Sequence, residues 1–141
     1  MIIEEAKGRQ ILDSRGNPTV EVEIILDDGC HGRGISPSGA STGSLEALEL
    51  RDNDLKMYNG KSVLDAVQNV NTKIKDSILG KRFDSQKEFD NFLIELDGSE
   101  NKSVLGANSI LSSSLAFAHA VSASKKMPLY KYFDNSKYTL P

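Results

Sequence analysis

Hydrophobic and polar residues alternate in the first third of the chain, with the period of two expected of half-buried strands. The clearest run places Val20, Val22, Ile24 and Leu26 on one face. Less regular candidates lie at 2–12 and 30–36, and Gly32 and Gly34 weaken the latter. Turn sequences at 15–18 and 27–29 separate the three runs. The pattern predicts an antiparallel meander of three strands.

The rest of the chain repeats its apolar residues at spacings of three and four, which is typical of helices. Such runs occupy 63–78, 85–97 and 107–126, and a shorter one should begin near Ser44 and end at about residue 50. Ser85 is placed to cap the second of these, and Gly80 and Gly98 to end helices. A sheet followed by helices predicts an α+β fold, a three-stranded antiparallel meander and then a bundle of about four helices.

Composition narrows the class of protein without naming a function. The 141 residues suit one domain, and a formal net charge of −3 offers no basic field for nucleic acid or anionic lipid. No apolar stretch approaches the length of a membrane span, and the first residues lack the pattern of a signal peptide. The single cysteine, Cys30, builds no disulfide framework and favours a reducing, cytoplasmic setting.

The loop at 38–43 is the segment most suggestive of chemistry, because every residue in it is small or turn-forming. Glycine at both 39 and 43 gives it backbone freedom, and Ser38, Ser41 and Thr42 offer hydroxyl groups. Such a loop could cradle a phosphate, bind a hard cation such as Mg²⁺ or close as a lid. It lacks the lysine of a P-loop, and a plain connector between strand and helix stays open.

Other polar residues assemble no complete active site. The turn around Arg15 needs only local backbone bonds, although Arg15 could also meet a partner outside this domain. Glu21 and Glu23 lie on the less apolar face of the predicted strand, where Arg9 and Arg33 could pair with them. The carboxylates at 46–54 are typical of a solvent-exposed helix face. The two histidines, His31 and His119, do not have the spacing of metal ligands.

Four longer motifs in this chain resemble the amino-terminal domain of enolases, in family order and over essentially its whole length. They are ILDSRGNPTVEV at 11–22, PSGASTG at 37–43 with EALELRD at 46–52, LDGSENKS at 96–103 with LGAN at 105–108, and PLY at 128–130. The chain departs from the family pattern at 112–114, where three serines replace the usual glycine, valine and serine. These serines make the packing of the long helix an open question.

The resemblance implies an enzyme that interconverts 2-phosphoglycerate and phosphoenolpyruvate in glycolysis, a lyase that uses two Mg²⁺ ions. Ser41 matches a ligand of the second Mg²⁺, and Gly39 and Ala40 match the loop that moves over the substrate. Arg15 and Glu21 match positions near the subunit interface of a homodimer or higher oligomer. The family's catalytic lysine and glutamate, and the carboxylates of the first metal, belong to a carboxy-terminal barrel.

We therefore expect residues 1–141 to form a capping domain that ends before the barrel, with no catalytic residue of its own. The end of the sequence, Leu140 and Pro141, looks interrupted rather than finished. The expected partners are the substrate pair, the barrel and a second subunit, and no nucleic acid or membrane. The isolated chain should be inactive and bind no Mg²⁺ tightly. The alternative is a free-standing interaction module that has kept the fold and lost catalysis.

Overall fold

The sheet has the predicted topology. A computed structural model of the protein describes residues 1–39 and 43–133. Its strands are β1 (Ile3–Leu12), β2 (Pro18–Leu26) and β3 (His31–Ser36), paired antiparallel in the order β1-β2-β3. The alternating apolar residues of the central strand, β2, are all buried. The prediction of a three-stranded meander is confirmed.

The helices follow the sheet, as predicted. They are α1 (Leu64–Asn69), a π-helical turn (Val70–Ile74), α2 (Lys75–Ile78), α3 (Gln86–Asp97), α4 (Ala107–Ser124) and α5 (Leu129–Phe133). A short 3-10 helix, Tyr58–Gly60, precedes them. The first three run on without a break, so apart from that 3-10 helix the helices among the described residues form four segments. The α+β class is thereby confirmed. Across these same ranges, no helix combines the length and the apolar character needed to cross a bilayer.

The core lies between the sheet and the helices. Phe89 of α3 and Phe117 of α4 stack with ring centroids 4.3 Å apart, and Phe83 meets Phe89 edge-on at 5.0 Å. Both stacked rings are fully buried with the apolar face of β2. Aromatic pairs in these geometries add to the stabilisation from burial alone. The apolar faces of the sheet and of the long helices thus meet at a common centre.

Strand β3 packs directly on the backbone of α4, and its glycines allow this. A Cβ atom at Gly34 would overlap the carbonyl oxygen of Ser112, and one at Gly32 would overlap the backbone of Ala116 and Ala120. These glycines were expected only to weaken the strand. Because a side chain at either position has no space, they are what brings strand and helix into contact.

The serines that depart from the family pattern fit inside α4. The hydroxyl groups of Ser112 and Ser113 donate to the carbonyls of Asn108 and Ser109, at 2.6 and 2.8 Å. Ser114 donates to the carboxylate of Asp90 at 2.7 Å. Buried hydroxyls need such partners, and each of these serines has one. The packing of the long helix is therefore compatible with them.

The short helix predicted from Ser44 to residue 50 is wrong. A turn occupies 44–46, and residues 47–52 form neither helix nor strand. The amide of Leu48 donates to Asn101 at 2.7 Å, its carbonyl accepts from Ala107 at 2.8 Å, and the amide of Asp52 donates to Ser62 at 2.9 Å. These backbone groups are bonded to distant residues and so are not available to a helical turn.

Candidate functional site

An open cleft of about 680 Å³ lies beside the entrance to the glycine-rich loop. It forms between the turn that precedes β2, the stretch just after β3 at Ser38 and Gly39, and the segment 49–61. Its lining is mostly polar: Arg15, Asn17, Ser38, Gly39, Glu49, Arg51, Asn53, Leu55, Asn59, Gly60 and Lys61. Residues from three separate stretches of sequence therefore share one surface.

Arg51 occupies the centre of the polar contacts in this cleft. Its guanidinium donates to the carbonyl of Pro18 at 2.8 Å and also to the carbonyl of Lys61. It donates to the carboxylate of Glu49 at 2.7 Å and to the hydroxyl of Ser38, which in turn donates to Glu49. The five donors of a guanidinium suit such a junction, and only 17% of the side chain is exposed.

Arg15 reaches the same serine from the β1–β2 turn. It donates to the carbonyl oxygen of Ser38 at 3.0 Å and faces Asp13 at 3.6 Å. Asp13 shapes that turn by accepting from the amides of Arg15 and Asn17, and these backbone bonds help to lower the pKa of the Asp13 carboxyl. The predicted local backbone bonds of the turn are present, and Arg15 adds a link to the loop entrance.

Glu49 and Arg51 can both reach Ser38 because the segment between them is not helical. Residues two apart on a helix do not face each other, whereas alternate residues of an extended chain do. The backbones of alternate residues 48, 50 and 52 bond to other segments, and the side chains of 49 and 51 turn to the cleft. The absence of the predicted helix is thus a condition for this cluster.

Asn108 holds the segment from the other side. Its side-chain oxygen accepts from the amide of Leu50 at 3.2 Å, and its side-chain nitrogen donates to the carbonyl of Leu50 at 3.0 Å. Gly106, with φ of +90°, lies so close to Leu50 that a Cβ atom would overlap it. These contacts explain the LGAN motif as a clamp on the backbone of residue 50.

Two buried or half-buried carboxylates brace the surrounding backbone. Asp52 accepts from the amides of Leu64 and Asp65 at 2.9 and 3.0 Å, and so caps α1 from a distance. Asp97 accepts from the amides of Leu105 and Ser99 at 2.7 and 3.0 Å. Burial raises the pKa of each carboxyl, but the hydrogen bonds outweigh it and the net pKa is lowered in both.

Residues 3–133 match the family model described as enolase, N-terminal domain. The chain belongs to the enolase family. The match includes the whole sheet, the cleft and every helix from α1 to α5 in the part of the chain that the structure describes.

The enolase loop residues predicted from sequence fall partly outside the structure. Gly39 is exposed and lines the cleft. Ala40 and Ser41, the second loop residue and the predicted metal ligand, lie outside the described residues. Their assignments stay predictions, and only the entrance to the enolase loop can be described.

The two predicted interface residues of this enolase domain lie in different clusters. Arg15 belongs to the cleft, whereas Glu21 is buried on the sheet, where it accepts from Arg9 at 3.2 Å and also pairs with Arg33. The expectation that these two arginines pair with the glutamates of this strand face is confirmed. Arg9 also bonds Glu23 at 2.7 Å, which lowers the pKa of Glu23 and raises that of Arg9.

Sequence reasoning missed Arg51, Ser38 and Asn108 as partners in the enolase cleft. The sequence places Arg51 in a charged run that ends the predicted short helix, where it has no expected partner. The signal that could have found it is the strict alternation of Glu49 and Arg51 around Leu50, which fits an extended chain as well as a helix end. Asn108 gives no such signal, since its partner is 58 residues away.

The described residues of this enolase domain do not by themselves fit a Mg²⁺ ion. Across 1–39 and 43–133 no three His, Cys, Asp or Glu side chains come together as a metal site. Glu49, the carboxylate nearest the loop entrance, is already bonded to Arg51 and Ser38. The oxygens of a Mg²⁺ shell would have to come from other residues.

The histidines separated in sequence meet at a second groove of the domain. His31 and His119 both line a shallow surface of about 470 Å³ with Arg33, Met127, Pro128 and Leu129. The sequence predicts no metal site from the spacing of these two histidines. That they line the same groove does not test this, and it stays a prediction. Cys30 is a free, half-buried thiol whose pKa is raised by desolvation and by Asp28.

Proposed function

We propose that this chain is the capping domain of an enzyme that interconverts 2-phosphoglycerate and phosphoenolpyruvate, a lyase of glycolysis. The observation that supports it best is the family match over 3–133, which includes the motifs quoted above. The cleft adds support from this molecule, since Arg15, Glu49 and Arg51 converge on the residue that leads into the glycine-rich loop.

Within that enzyme we assign this chain a role in covering the substrate. Gly39, Ala40 and Ser41 would form the part of the loop that moves over it, and Ser41 would add a Mg²⁺ ligand. Arg15 and Glu21 would lie near the contact with a second subunit of a homodimer or larger oligomer. The free thiol Cys30 agrees with a cytoplasmic setting.

The proton transfers of the reaction are assigned to residues beyond this chain. Proton abstraction next to a carboxylate needs a base positioned against the substrate, with electrostatic stabilisation of the enolate that results. Mg²⁺ would supply much of that stabilisation when it is bound. Around the cleft, Glu49 is tied to Arg51, and Arg15 and Lys61 are cations that can orient anions but are not placed as bases.

The test compares the 141-residue chain with the same chain joined to a barrel domain in one polypeptide. We expect the longer protein to form phosphoenolpyruvate from 2-phosphoglycerate, as followed by ultraviolet absorbance, and the chain alone to show no turnover. Turnover by the chain alone would contradict the assignment of the chemistry to other residues. An inactive, folded longer protein would contradict the proposed function and favour the non-catalytic interaction module.

Magnesium binding gives a second check on the same proposal. Titration calorimetry of the 141-residue chain should show no tight Mg²⁺ binding, because one serine is a poor site without carboxylates. The longer protein with substrate should bind Mg²⁺ measurably, and Ser41→Ala in it should weaken that binding. Micromolar affinity in the chain alone would contradict the assigned division of ligands.

A further inference from the structure

Ser38 lies two residues beyond the end of β3, at the start of the glycine-rich loop. Its carbonyl and its hydroxyl are both held by side chains from other segments. Its carbonyl oxygen accepts from Arg15 at 3.0 Å, and its hydroxyl lies between Arg51 and Glu49. The start of the loop is therefore fixed from outside the loop.

Arg51 has a wider reach than the other partners of Ser38. It also donates to the carbonyl of Pro18, where β2 begins, and to that of Lys61, beyond the turn at 53–60. One mostly buried cation thus joins three stretches of chain at the loop entrance. A planar guanidinium does this with donors in a fixed fork, which the single ammonium group of lysine cannot reproduce.

The orientation of Arg51 is itself held by the fold. Asn108 clamps Leu50, the residue between Glu49 and Arg51, through both its amide and its carbonyl. The carboxylate of Glu49 takes up a donor of Arg51 at 2.7 Å and accepts from the Ser38 hydroxyl. The guanidinium is therefore placed before any ligand arrives, as a positioning group must be.

We propose that Arg51 is a positioning residue for the glycine-rich loop. By holding Ser38 against Pro18 and Lys61, it sets where the loop begins and hence how the loop reaches its substrate. This inference rests on the proposed function, because the contact between loop and substrate is taken from there. Arg51 acts through Ser38 and touches no reacting atom.

The kinetic test uses the longer enzyme, with Ser38→Ala as the mild variant and Arg51→Lys as the severe one. Each should raise KM for 2-phosphoglycerate about tenfold or more, the effect of losing a charge-assisted hydrogen bond, while kcat changes about twofold or less. The matched control is Arg82→Lys, since Arg82 is an exposed arginine with one ion pair, to Asp84 at 2.9 Å. The control should leave KM unchanged.

The double variant separates positioning from general destabilisation. Because the hydroxyl of Ser38 acts through Arg51, the double variant should have the KM of Arg51→Lys alone. If the fold-increases in KM of the two single variants multiply in the double variant, the proposal is overturned. It is also overturned by a lowered melting temperature in Arg51→Lys with an unchanged KM, which would make Arg51 a purely structural residue.

Hydrogen exchange supplies a readout that needs no catalysis. Peptides that include 38–43 should exchange faster in Ser38→Ala and in Arg51→Lys than in wild type or Arg82→Lys. Equal exchange rates in all four proteins would overturn the proposal. If Arg51→Lys does not fold, the comparison of Ser38→Ala with wild type and Arg82→Lys still provides the test. A wild-type longer protein with no activity contradicts the proposed function instead, and the exchange data still decide whether Arg51 holds the loop entrance.

Discussion

Helix α3 and the segment 47–52 both carry residues that favour a helix, yet only one of them is helical. Helix α3 begins after Ser85, whose hydroxyl accepts from the amide of Glu88 at 3.1 Å, and ends at Gly98 in the left-handed region. Its start, stop and buried face all come from its own residues. The segment 47–52 has the sequence ALELRD but neither a cap of its own nor a free backbone.

The difference shows that helix propensity determines the conformation of a segment only where its backbone groups are not hydrogen-bonded to other segments. A short helix of six or seven residues is unstable in isolation, because nucleation is costly. Bonds from Asn101, Ala107 and Asn108 to Leu48 and Leu50 therefore determine the conformation of that segment. The same conformation places Glu49 and Arg51 beside Ser38, so the site depends on the region that propensity misassigns.

The largest effect is expected from Asn108→Ala, which removes the clamp on the 47–52 segment. It leaves the amide and carbonyl of Leu50 without their partner, and we expect unfolding in urea to show a loss of about 2–3 kcal/mol. Hydrogen exchange at residues 48–52 should rise more than exchange in α3. The exposed Asn101→Ala is the matched control and should cost less than about 0.5 kcal/mol. Equal losses in the two variants would show that the clamp is not what holds the segment.

A second test removes the brace that follows α3, through Asp97→Asn. In the wild type, the amide of Leu105 and the amide and hydroxyl of Ser99 all donate to the Asp97 carboxylate. The side-chain nitrogen of the variant is itself a donor, so it would face one of these donors and at least one hydrogen bond would be lost. We expect a loss of about 2 kcal/mol at pH 7. Asp76→Asn, on an exposed carboxylate, is the control.

The pH dependence of that second test has a definite sign. The pKa of Asp97 is lowered in the folded protein, although burial alone would raise it, because hydrogen bonds from Ser99 and Leu105 favour the charged form. Its contribution to stability is therefore complete above the unfolded pKa of about 4 and is lost as pH falls through the folded value. The gap between wild type and Asp97→Asn should narrow below pH 4, and a gap that stays constant there would contradict the assignment.

The smallest expected effect tests the locally determined side of the comparison. Ser85→Ala removes the N-cap of α3 and should reduce the free energy of unfolding by about 1 kcal/mol. Ser85→Thr keeps the hydroxyl and should recover most of it. Exchange at 47–52 should not change in either variant. Faster exchange at 47–52 would mean that the two regions are coupled, and it would contradict the conclusion that α3 is determined only by its own residues.

Much of the fold could be predicted because its signals are local. The alternation of Val20, Val22, Ile24 and Leu26 identifies a half-buried strand wherever the strand is placed. Ser85 and Gly98 bound a helix by their own chemistry. The loop at 38–43 was singled out by composition, and the cleft does lie at its entrance.

The cleft itself could not be predicted in this way. Ser38, Arg51 and Asn108 become partners only when the sheet, the 47–52 segment and α4 are assembled. Gly32 and Gly34 show the same limit, since they look like weak points in a strand until α4 is placed against them. Contacts across 58 residues, such as that of Asn108 with Leu50, leave no periodicity in the sequence.

The α+β class, the three strands, the main helices and the family membership can all be predicted from the sequence alone. These follow from hydrophobic periodicity, turn and cap residues and long motifs, all of which act over a few residues. Tertiary structure alone decided that 47–52 is not a helix and that Arg51 lies at the entrance to the glycine-rich loop. Buried backbone groups must form hydrogen bonds, and in the folded protein the available partners of residues 48–52 lie in distant segments. The position of the mostly buried Arg51 guanidinium is likewise set by the groups to which it donates.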